Sequence, residues 1–518
     1  MASNGSHTLV GNRVGIIGTG MIGLVALKNL KEQGLEVTAI ERNEFIGGTW
    51  HATPRKGETT ALPWTSFNTS KHSGHYTDFP FPKDAPTHPG AKDVEQYLEA
   101  YAEHFDLLQH IQFSKKVTKV ERDEVTGKWT VFTRSTKSDP NISPEETQAF
   151  DRLVIATGML NVPVDVKIKG IERFEGEAMH SRDFKEPNRY EGKNVLVVGI
   201  GATGADTQSF LKRTKARSIY LSHRGQYFLA WPWLDEHPSF MPPRILDGVE
   251  HRVPLFSDDL ADNLREGTTK AVAGISEIVG PKSVKLADDT VLEDIDAIIV
   301  CSGYHYDFSL IKGDGNPTDP DKAPDHYERI NAAKYKDPHD SFPRLYRGFI
   351  SEQYPESLAV LGHFLVMGPP FLIYDLTTMA LASLWSGAAP TPTKSEMAQD
   401  IDTHYANVVE TLGRGPMPHI GIRMFGSATY DWLNETAGTG VTDRLASFGR
   451  EAWSFWWSDR KFYNLLMDGV SSPPMYRLFD TGRGRKPWPG ARESILANNE
   501  DVKQMEEKWK KEHAPKTK

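Results

Sequence analysis

The sequence lacks three features that would each assign it to a particular class of protein. It has a single cysteine, Cys301, which excludes an internal disulfide and a Cys-x-x-Cys redox pair and indicates a reducing compartment. No apolar run reaches the roughly 18 residues of a membrane span, and the start, MASNGSHTLVGN, has no apolar core of a signal peptide. The net charge is −9, which argues against a nucleic-acid partner. We therefore expect a cytoplasmic protein without a membrane anchor.

What the sequence does contain is a glycine-rich turn near its N-terminus. The apolar strand Val14–Ile17 leads into G-x-G-x-x-G, formed by Gly18, Gly20 and Gly23. The apolar residues of Met21–Leu30 then recur at helical spacing. Such a turn lets backbone approach a pyrophosphate at a helix N-terminus, which indicates a dinucleotide site.

The acid that follows this turn indicates which dinucleotide binds there. A second apolar strand, Val37–Ile40, ends at Glu41, 23 residues after Gly18. A carboxylate there accepts hydrogen bonds from ribose hydroxyls and repels a 2′-phosphate. We therefore predict FAD, which has no such phosphate, at this first site.

A second unit of the same kind lies in the middle of the chain. Val195–Val198 reads as its strand, Gly199, Gly201 and Gly204 form the same motif, and Ala202–Lys212 reads as the following helix.

The end of the next strand differs from that of the first unit. Ser218–Leu221 is followed by His223 and Arg224 where the first unit has an acid. Arginine can pair with a ribose 2′-phosphate, so we predict that NADPH binds here. A solvated residue at a strand end is the alternative interpretation of Arg224. The two sites together predict that a nicotinamide delivers hydride to a flavin.

Two further strands bracket the second unit. Leu153–Ala156 ends in Thr157 and Gly158, and Ala297–Val300 is followed by a second small-residue turn. Small residues suit a chain that returns to the sheet close to a cofactor.

The fold class that follows is α/β, with two Rossmann-like dinucleotide-binding domains. The NADPH-binding domain (169–301) is predicted to be inserted into a discontinuous FAD-binding domain (1–168 and 302–518).

One motif just before the second unit identifies a family. Phe174-x-Gly176-x-x-x-His180-x-x-x-Phe184 resembles the identifying sequence of the flavin-containing monooxygenases, F-x-G-x-x-x-H-x-x-x-(Y/F). The stretches ERNEFIGGTW, NTSKHSGHYTDFPFP and SLAVLGHFLVMGPP resemble the same family. Related Baeyer–Villiger enzymes usually have Trp at the last position of the motif, so Phe184 favours oxygenation of a heteroatom.

The resemblance implies a mechanism. NADPH reduces FAD, molecular oxygen adds at the flavin C4a, and NADP⁺ stays to shield the hydroperoxide. A small-molecule amine, indole or thioether then takes one oxygen. Alternatives are a Baeyer–Villiger monooxygenase and an NADPH oxidase or flavin sensor without a substrate. A homo-oligomer is also an expectation, and the sequence predicts no metal site.

The resemblance also implies roles for individual residues. Asn68 matches the family's active-site asparagine, whose amide can hydrogen-bond the cofactors; a turn asparagine is the alternative. Glu41 is assigned to the FAD ribose and Arg224 to the 2′-phosphate. The remaining predicted cofactor-binding residues are Gly18, Gly20, Gly23, Gly48, Thr49, Trp50, Thr157, Gly158, Gly199, Gly201, Thr203 and Gly204. Thr203 stands in a stretch where the family commonly has G-x-G-x-S.

Three other features have two interpretations each. His180 is either a proton-transfer group or, as we prefer, a hinge residue between the domains with phenylalanines packed around it. The run Trp453–Trp457 is core or subunit contact by default, or else lines a substrate pocket. Residues 227–254, rich in proline and aromatics, are either a lid or an ordinary excursion. The charged C-terminus is expected to be a solvated helix or tail.

Overall fold

A computed structural model describes most of the chain. The described ranges are 11–138, 143–224, 229–230, 255–257, 259–318, 343–366, 368–413, 422–424, 427–446, 449–483 and 485–513. Most of the proline-rich excursion therefore lies outside the described residues.

The strands are short and spread over the whole chain. In chain order they are β1 (Arg13–Ile17), β2 (Glu36–Ile40), β3 (Ile111–Gln112), β4 (Lys115–Arg122), β5 (Trp129–Ser135), β6 (Glu146–Phe150), β7 (Arg152–Ile155), β8 (Val162–Pro163), β9 (Glu177–His180), β10 (Asn194–Val198), β11 (Ser218–Ser222), β12 (Leu229–Ala230), β13 (Leu255–Phe256), β14 (Thr269–Val272), β15 (Ile275–Gly280), β16 (Ser283–Leu286), β17 (Val291–Leu292), β18 (Ala297–Val300), β19 (Tyr304–His305), β20 (Leu345–Tyr346), β21 (Ile350–Ser351), β22 (Leu358–Val360), β23 (Phe364–Val366) and β24 (Ile422–Met424).

The α-helices surround these strands and become more frequent toward the C-terminus. They are α1 (Met21–Glu32), α2 (Ala91–His104), α3 (Ala202–Arg213), α4 (Leu260–Glu266), α5 (Pro370–Ser386), α6 (Lys394–Gly413), α7 (Ser427–Ala437), α8 (Arg450–Ser458), α9 (Arg460–Asp468) and α10 (Ala491–His513). None of the helices in the described ranges has both the length and the apolar character needed to cross a bilayer.

Two mainly parallel sheets organise the molecule. The first has the order β20-β21-β22-β7-β1-β2-β3, and its strands from β22 to β3 run parallel. The second has the order β14-β11-β10-β18-β9 and is parallel throughout. The predicted α/β class is thus confirmed. We call the elements around the first sheet the first unit and those around the second sheet the second unit.

The order of strands along the chain matches the predicted insertion. Every strand of the second sheet falls between residues 177 and 300, whereas the first sheet uses residues 13–155 and 345–360. The predicted return strands lie beside the glycine-turn strands: β7 pairs with β1, and β18 pairs with β10. The limits proposed for the domains, 169–301 within 1–168 and 302–518, remain a prediction.

Apolar side chains on both faces explain why the central elements are buried. Parallel sheets are covered by helices on both faces, so their strands are continuous apolar runs rather than alternating ones. Helix α1 has nine of its twelve residues buried, because it packs between the sheet and α5. Helix α5 itself begins at a Pro-Pro pair and ends before Gly387, whose φ of 80° suits a helix C-terminus.

A buried network of charges joins α1 to the C-terminal part of the chain. Arg477, of which 2% is exposed, forms two bonds with the Glu32 carboxylate, at 2.7 and 3.0 Å. Its guanidinium also lies 3.3 Å from Asp78. Lys28 pairs with Asp78 and, at 2.8 Å, with Glu32. Each of these two cations therefore lies beside a carboxylate, as buried ions require.

Neutral groups and a third carboxylate extend this network to α5. The Asn29 amide donates to Asp375 Oδ1 at 2.8 Å and accepts from Arg477 at 3.0 Å. Both the backbone N–H and the hydroxyl of Thr77 donate to Asp375 Oδ2 at 2.7 Å. The network therefore fixes α1 against α5 and against the 3₁₀ turn Pro473–Arg477.

Candidate functional site

The first glycine turn is held by close backbone packing. Gly18 follows β1 with a φ of 101°, and a Cβ there would lie 2.5 Å from the Ala156 carbonyl oxygen. A Cβ on Gly23 would lie 2.1 Å from the Gly18 carbonyl oxygen. Both positions therefore require glycine for the packing of the turn against α1 and β7.

Gly20 is different, and it tests whether a dinucleotide fits here. Its φ of −68° and ψ of −175° are open to any residue. A Cβ there would meet, among described atoms, only the Cα of Gly48, at 3.8 Å. Packing within the protein does not call for glycine, but a pyrophosphate approaching the N-terminus of α1 does. The turn thus fits the dinucleotide predicted for it.

The Glu41 carboxylate lies at the end of β2 and is buried. One oxygen accepts from the N–H and the hydroxyl of Thr19, both at 2.9 Å. The other accepts from the N–H of Asn43, at 2.9 Å. The carboxylate therefore secures the glycine turn, a role that sequence reasoning missed. Its contact with the FAD ribose remains a prediction.

The loop predicted to cover FAD lies against the glycine turn. Gly48, Thr49 and Trp50 form a 3₁₀ turn, and the preceding Gly47 pairs with Gly20 in an isolated bridge. The half-buried Trp50 ring packs edge-on against the ring of Phe67.

Asn68 comes next along this path. Phe67 is buried and lies 5.5 Å from Trp50 between ring centroids, and Thr69 is also buried. Asn68 between them is exposed. The structure therefore connects Asn68 to the first glycine turn through Trp50, and Asn68 Oδ1 accepts from the Thr69 hydroxyl at 3.5 Å.

The return turn after β7 has a polar support that sequence reasoning did not find. Gly158 has a φ of 77°. The Asn161 amide donates to the carbonyl oxygens of Thr157, at 2.6 Å, and Gly158, at 3.0 Å. Asn161 thereby fixes the turn that is predicted to pass close to the flavin.

The second glycine turn repeats the geometry of the first. Gly199 has a φ of 109°, and a Cβ there would lie 2.5 Å from the Cys301 carbonyl oxygen. A Cβ on Gly204 would lie 1.9 Å from the Gly199 carbonyl oxygen. Gly201 has ordinary angles, φ −71° and ψ −177°, and no described atom lies within 4 Å of its Cβ position. The second turn therefore leaves the same space for a dinucleotide, and the exposed Thr203 lies in the first turn of α3.

Arg224 lies just beyond β11 and is exposed. Its stem passes close to Gly274, where a Cβ would lie 3.1 Å from Arg224 Cγ. Within the described ranges no ion pair occupies its guanidinium. A cleft of about 350 Å³ opens beside it, with His223 and Asp288 in its lining. The position suits contact with a ribose phosphate, which remains a prediction.

The family motif lies where the two units meet. A Cβ on Gly176 would lie 2.6 Å from the Phe174 ring and equally close to the Asp296 carbonyl oxygen, so the glycine makes room for both. Phe174 packs against one hydrophobic cluster of the second unit and the buried Phe184 belongs to another. The two rings thus belong to different clusters, and their packing around the histidine remains a prediction.

His180 is the last residue of β9, and its side chain contacts neighbouring protein groups. Its Nδ1 accepts from the N–H of Arg182 at 3.1 Å, and its ring lies edge-on to Tyr304, 5.2 Å away. Burial lowers the pKa of His180, so it is neutral at physiological pH. These contacts favour the hinge interpretation.

A loop of the first unit reaches the second unit beside this motif. The Gly57 N–H donates to Asp183 Oδ1 at 2.7 Å, and Lys185 Nζ donates to the Glu58 carbonyl at 2.6 Å. The loop follows the predicted flavin loop in the chain and precedes Asn68. Segment 47–68 thus runs from the first glycine turn, past the second unit, to Asn68.

Two other clusters contain residue types that often occur in functional sites. Trp453 and Trp457 in α8 are 52% and 76% exposed, so they are not core, and a subunit contact remains a prediction. His51, Glu95 and Glu99 place potential metal ligands within 4.8 Å of one another, where the sequence predicts no metal. His51 Nδ1 lies 2.5 Å from Glu95 Oε1, and this direct contact accounts for their proximity.

Two dinucleotide turns in one chain, one followed by an acid and the other by an arginine, define an enzyme that passes electrons between a nicotinamide and a flavin. Residues 11–241 match the flavin-binding monooxygenase-like family. The chain is 32% identical to monooxygenase aurF of Gibberella zeae, over 94% of this chain and 97% of that protein. It belongs to the flavin-containing monooxygenase family and is an FAD-containing, NADPH-dependent monooxygenase.

Other known proteins agree in sequence and in fold. The chain is 28% identical to flavin-containing monooxygenase 3 of Rattus norvegicus, over 93% of this chain and 91% of that protein. The structure of S-allyl-L-cysteine S-oxygenase from Allium sativum has a TM-score of 0.64 at 21% identity, covering 96% of this chain and 100% of that one. This last likeness concerns the fold alone.

Proposed function

We propose that the enzyme transfers one oxygen atom to a soft nucleophile, an amine nitrogen or a thioether sulfur of a small molecule. Bound FAD would supply the redox chemistry, accepting hydride from NADPH and reacting with molecular oxygen. Phe184 at the last position of the family motif supports a heteroatom substrate over a ketone.

The observation that carries the proposal is the path of segment 47–68. It contacts the first glycine turn, touches the second unit at Asp183 and Lys185, and ends with the exposed Asn68. From this path we infer that Asn68 lies between the two cofactor sites. Its amide offers donors and an acceptor without adding a charge.

The other residues bind and orient. The N-termini of α1 and α3 would hold the two pyrophosphates, since Gly20 and Gly201 leave space beside them. Glu41 fixes the first turn, and Arg224 selects the 2′-phosphate of NADPH. Phe67 and Trp50 form an apolar wall beside Asn68 that excludes water.

A panel of substrates tests the proposal directly. The purified FAD enzyme is given NADPH and an amine, an indole, a sulfide or a ketone, and oxygenated product is counted per NADPH consumed. We expect product from the amines, indoles or sulfides. Product from the ketone alone would indicate a Baeyer–Villiger enzyme, and peroxide as the sole product an NADPH oxidase.

The role of Asn68 is tested by Asn68→Ala and the isosteric Asn68→Asp. Both should keep FAD and be reduced by NADPH at the wild-type rate, because neither glycine turn changes. Loss of a hydrogen bond to the bound cofactors costs about 0.5–1.5 kcal/mol, so the peroxide formed per NADPH should rise several-fold. An unchanged ratio in both variants would make Asn68 a turn residue.

A further inference from the structure

The C-terminal helix α10 does more than carry charge at the surface. Its outer face is solvated, as expected, and Trp509 there is 60% exposed. Asn498, Asp501 and Met505, at spacings of three and four residues, form one face that contacts the protein. That face lies against the segment that carries Asn68.

The strongest contacts of this face are made by Asp501. Its Oδ2 lies 2.8 Å from His72 Nε2 and 3.2 Å from Lys71 Nζ. The side chain of His72 is 2% exposed and that of Lys71 is 12% exposed. The hydrogen bond with His72, aided by the charge of Lys71, lowers the pKa of Asp501 against its burial. Asp501 is therefore ionised at neutral pH.

Asn498 adds a contact to the backbone of the same segment. Its amide donates to the His72 carbonyl oxygen at 3.2 Å and to the Ser472 hydroxyl at 3.1 Å. The amide thus connects the segment to the 3₁₀ turn that follows α9.

The segment itself is paired on both sides of Asn68. The Phe67 N–H donates to the Pro89 carbonyl, and the Lys71 N–H donates to the Thr87 carbonyl, both at 2.7 Å. The two hydrogen bonds lie on either side of Asn68 in the chain.

Helix α10 contacts both segments that these hydrogen bonds join. Asp501 and Asn498 bind Lys71 and His72 in one segment. Met505 Sδ accepts from the Thr87 hydroxyl, 3.9 Å away, in the other segment. A displacement of this face would therefore move the backbone three residues from Asn68.

We propose that Asp501 and Asn498 are positioning residues that hold the Asn68 amide in place for the reaction. This inference rests on the proposed function of Asn68, because it assigns to α10 the support of that amide. The Asp501 carboxylate makes charge-assisted contacts with the side chains of Lys71 and His72, and Asn498 fixes the backbone beside them.

The test compares Asp501→Asn with Glu500→Gln. Each removes one carboxylate charge from α10, but Glu500 is exposed and bonds only Gln504 among described residues. Two quantities are measured on the FAD-bound enzyme: hydrogen–deuterium exchange of the peptide covering residues 66–73, and peroxide formed per NADPH. For Asp501→Asn we expect about fivefold faster exchange in that peptide and a several-fold higher peroxide ratio. The rate of flavin reduction by NADPH should stay within error of wild type, and Glu500→Gln should change neither the exchange rate nor the peroxide ratio.

The outcomes separate this inference from the proposed function. If Asn68→Ala raises the peroxide ratio but Asp501→Asn does not, α10 has no positioning role and Asn68 keeps its own. If Asn68→Ala leaves the ratio unchanged, the proposed role of Asn68 fails first. Should Asp501→Asn fold poorly, Asn498→Ala, which leaves all charges in place, is measured in the same way. An unchanged exchange rate and ratio in that variant would overturn the inference.

Discussion

Gly201→Ala tests whether glycine is needed at this position for ligand binding or for stability. The backbone angles of Gly201 suit alanine, and no described atom lies within 4 Å of the new Cβ. Stability should therefore be unchanged. The methyl group would fill the space that the pyrophosphate must enter, and the loss of a charge-assisted bond to the α3 N-terminus costs about 1.5–3 kcal/mol. The Kd for NADP⁺, measured by calorimetry on the FAD-bound enzyme, should rise about 10- to 150-fold.

The matched control is Gly204→Ala, three residues along the same turn. Alanine in a helix interior normally gains about 0.5–1 kcal/mol over glycine, but here its Cβ would lie 1.9 Å from the Gly199 carbonyl oxygen. This variant should lose both thermal stability and NADP⁺ affinity. Wild-type affinity in a stable Gly201→Ala protein would refute the reasoning, because the space beside Gly201 would then not receive the pyrophosphate.

Two further predictions concern charge. Arg224→Ala should raise the KM for NADPH about 10- to 150-fold and leave that for NADH nearly unchanged, since one charge-assisted contact to the 2′-phosphate is lost; equal losses in steady-state assays with both cofactors would indicate a structural role. Burial alone would raise the pKa of Glu32, but the bonds and charges of Arg477 and Lys28 outweigh it and lower the pKa to about 2. Because the folded-state pKa is depressed, the stabilisation is present above pH of about 4.5 and lost as the pH falls toward 2. Glu32→Gln should therefore lower the free energy of unfolding by about 2 kcal/mol at pH 7, after allowance for partial exposure. In urea denaturation, the difference in unfolding free energy between wild type and variant should narrow below pH 4.5. A difference independent of pH would contradict the ion-pair account.

The sequence predicted the parts of the site that are local in the chain. The turn Gly18–Gly23 and its strands follow from a pattern of adjacent residues, and β1, β10 and their partners are confirmed within a residue or two. Insertion of the second unit was also predictable, because Leu153–Ala156 and Ala297–Val300 repeat one signature on either side of it.

The supports of the site could not be predicted, because their partners are distant or unpatterned. Asn161 reads as an ordinary loop asparagine, yet its amide fixes the turn at Gly158. The charged C-terminus reads as a solvated helix, and nothing in its composition marks Asp501 as the partner of His72, 429 residues away. Short sequence motifs indicate residues that contact ligands, whereas polar contacts between distant residues produce no periodic pattern in the sequence.

The buried charges around Arg477 also bear on the order in which the chain can fold. The bond from Arg477 to Glu32 spans 445 residues, so α1 carries an incomplete ion cluster until nearly the whole polypeptide has been synthesised. The second sheet draws only on residues 177–300, and it can close while strands β20, β21 and β22 are still missing from the first. During translation the two units can therefore be completed in the reverse of their order in the sequence. The first glycine motif is synthesised first, but it belongs to the unit that is completed last.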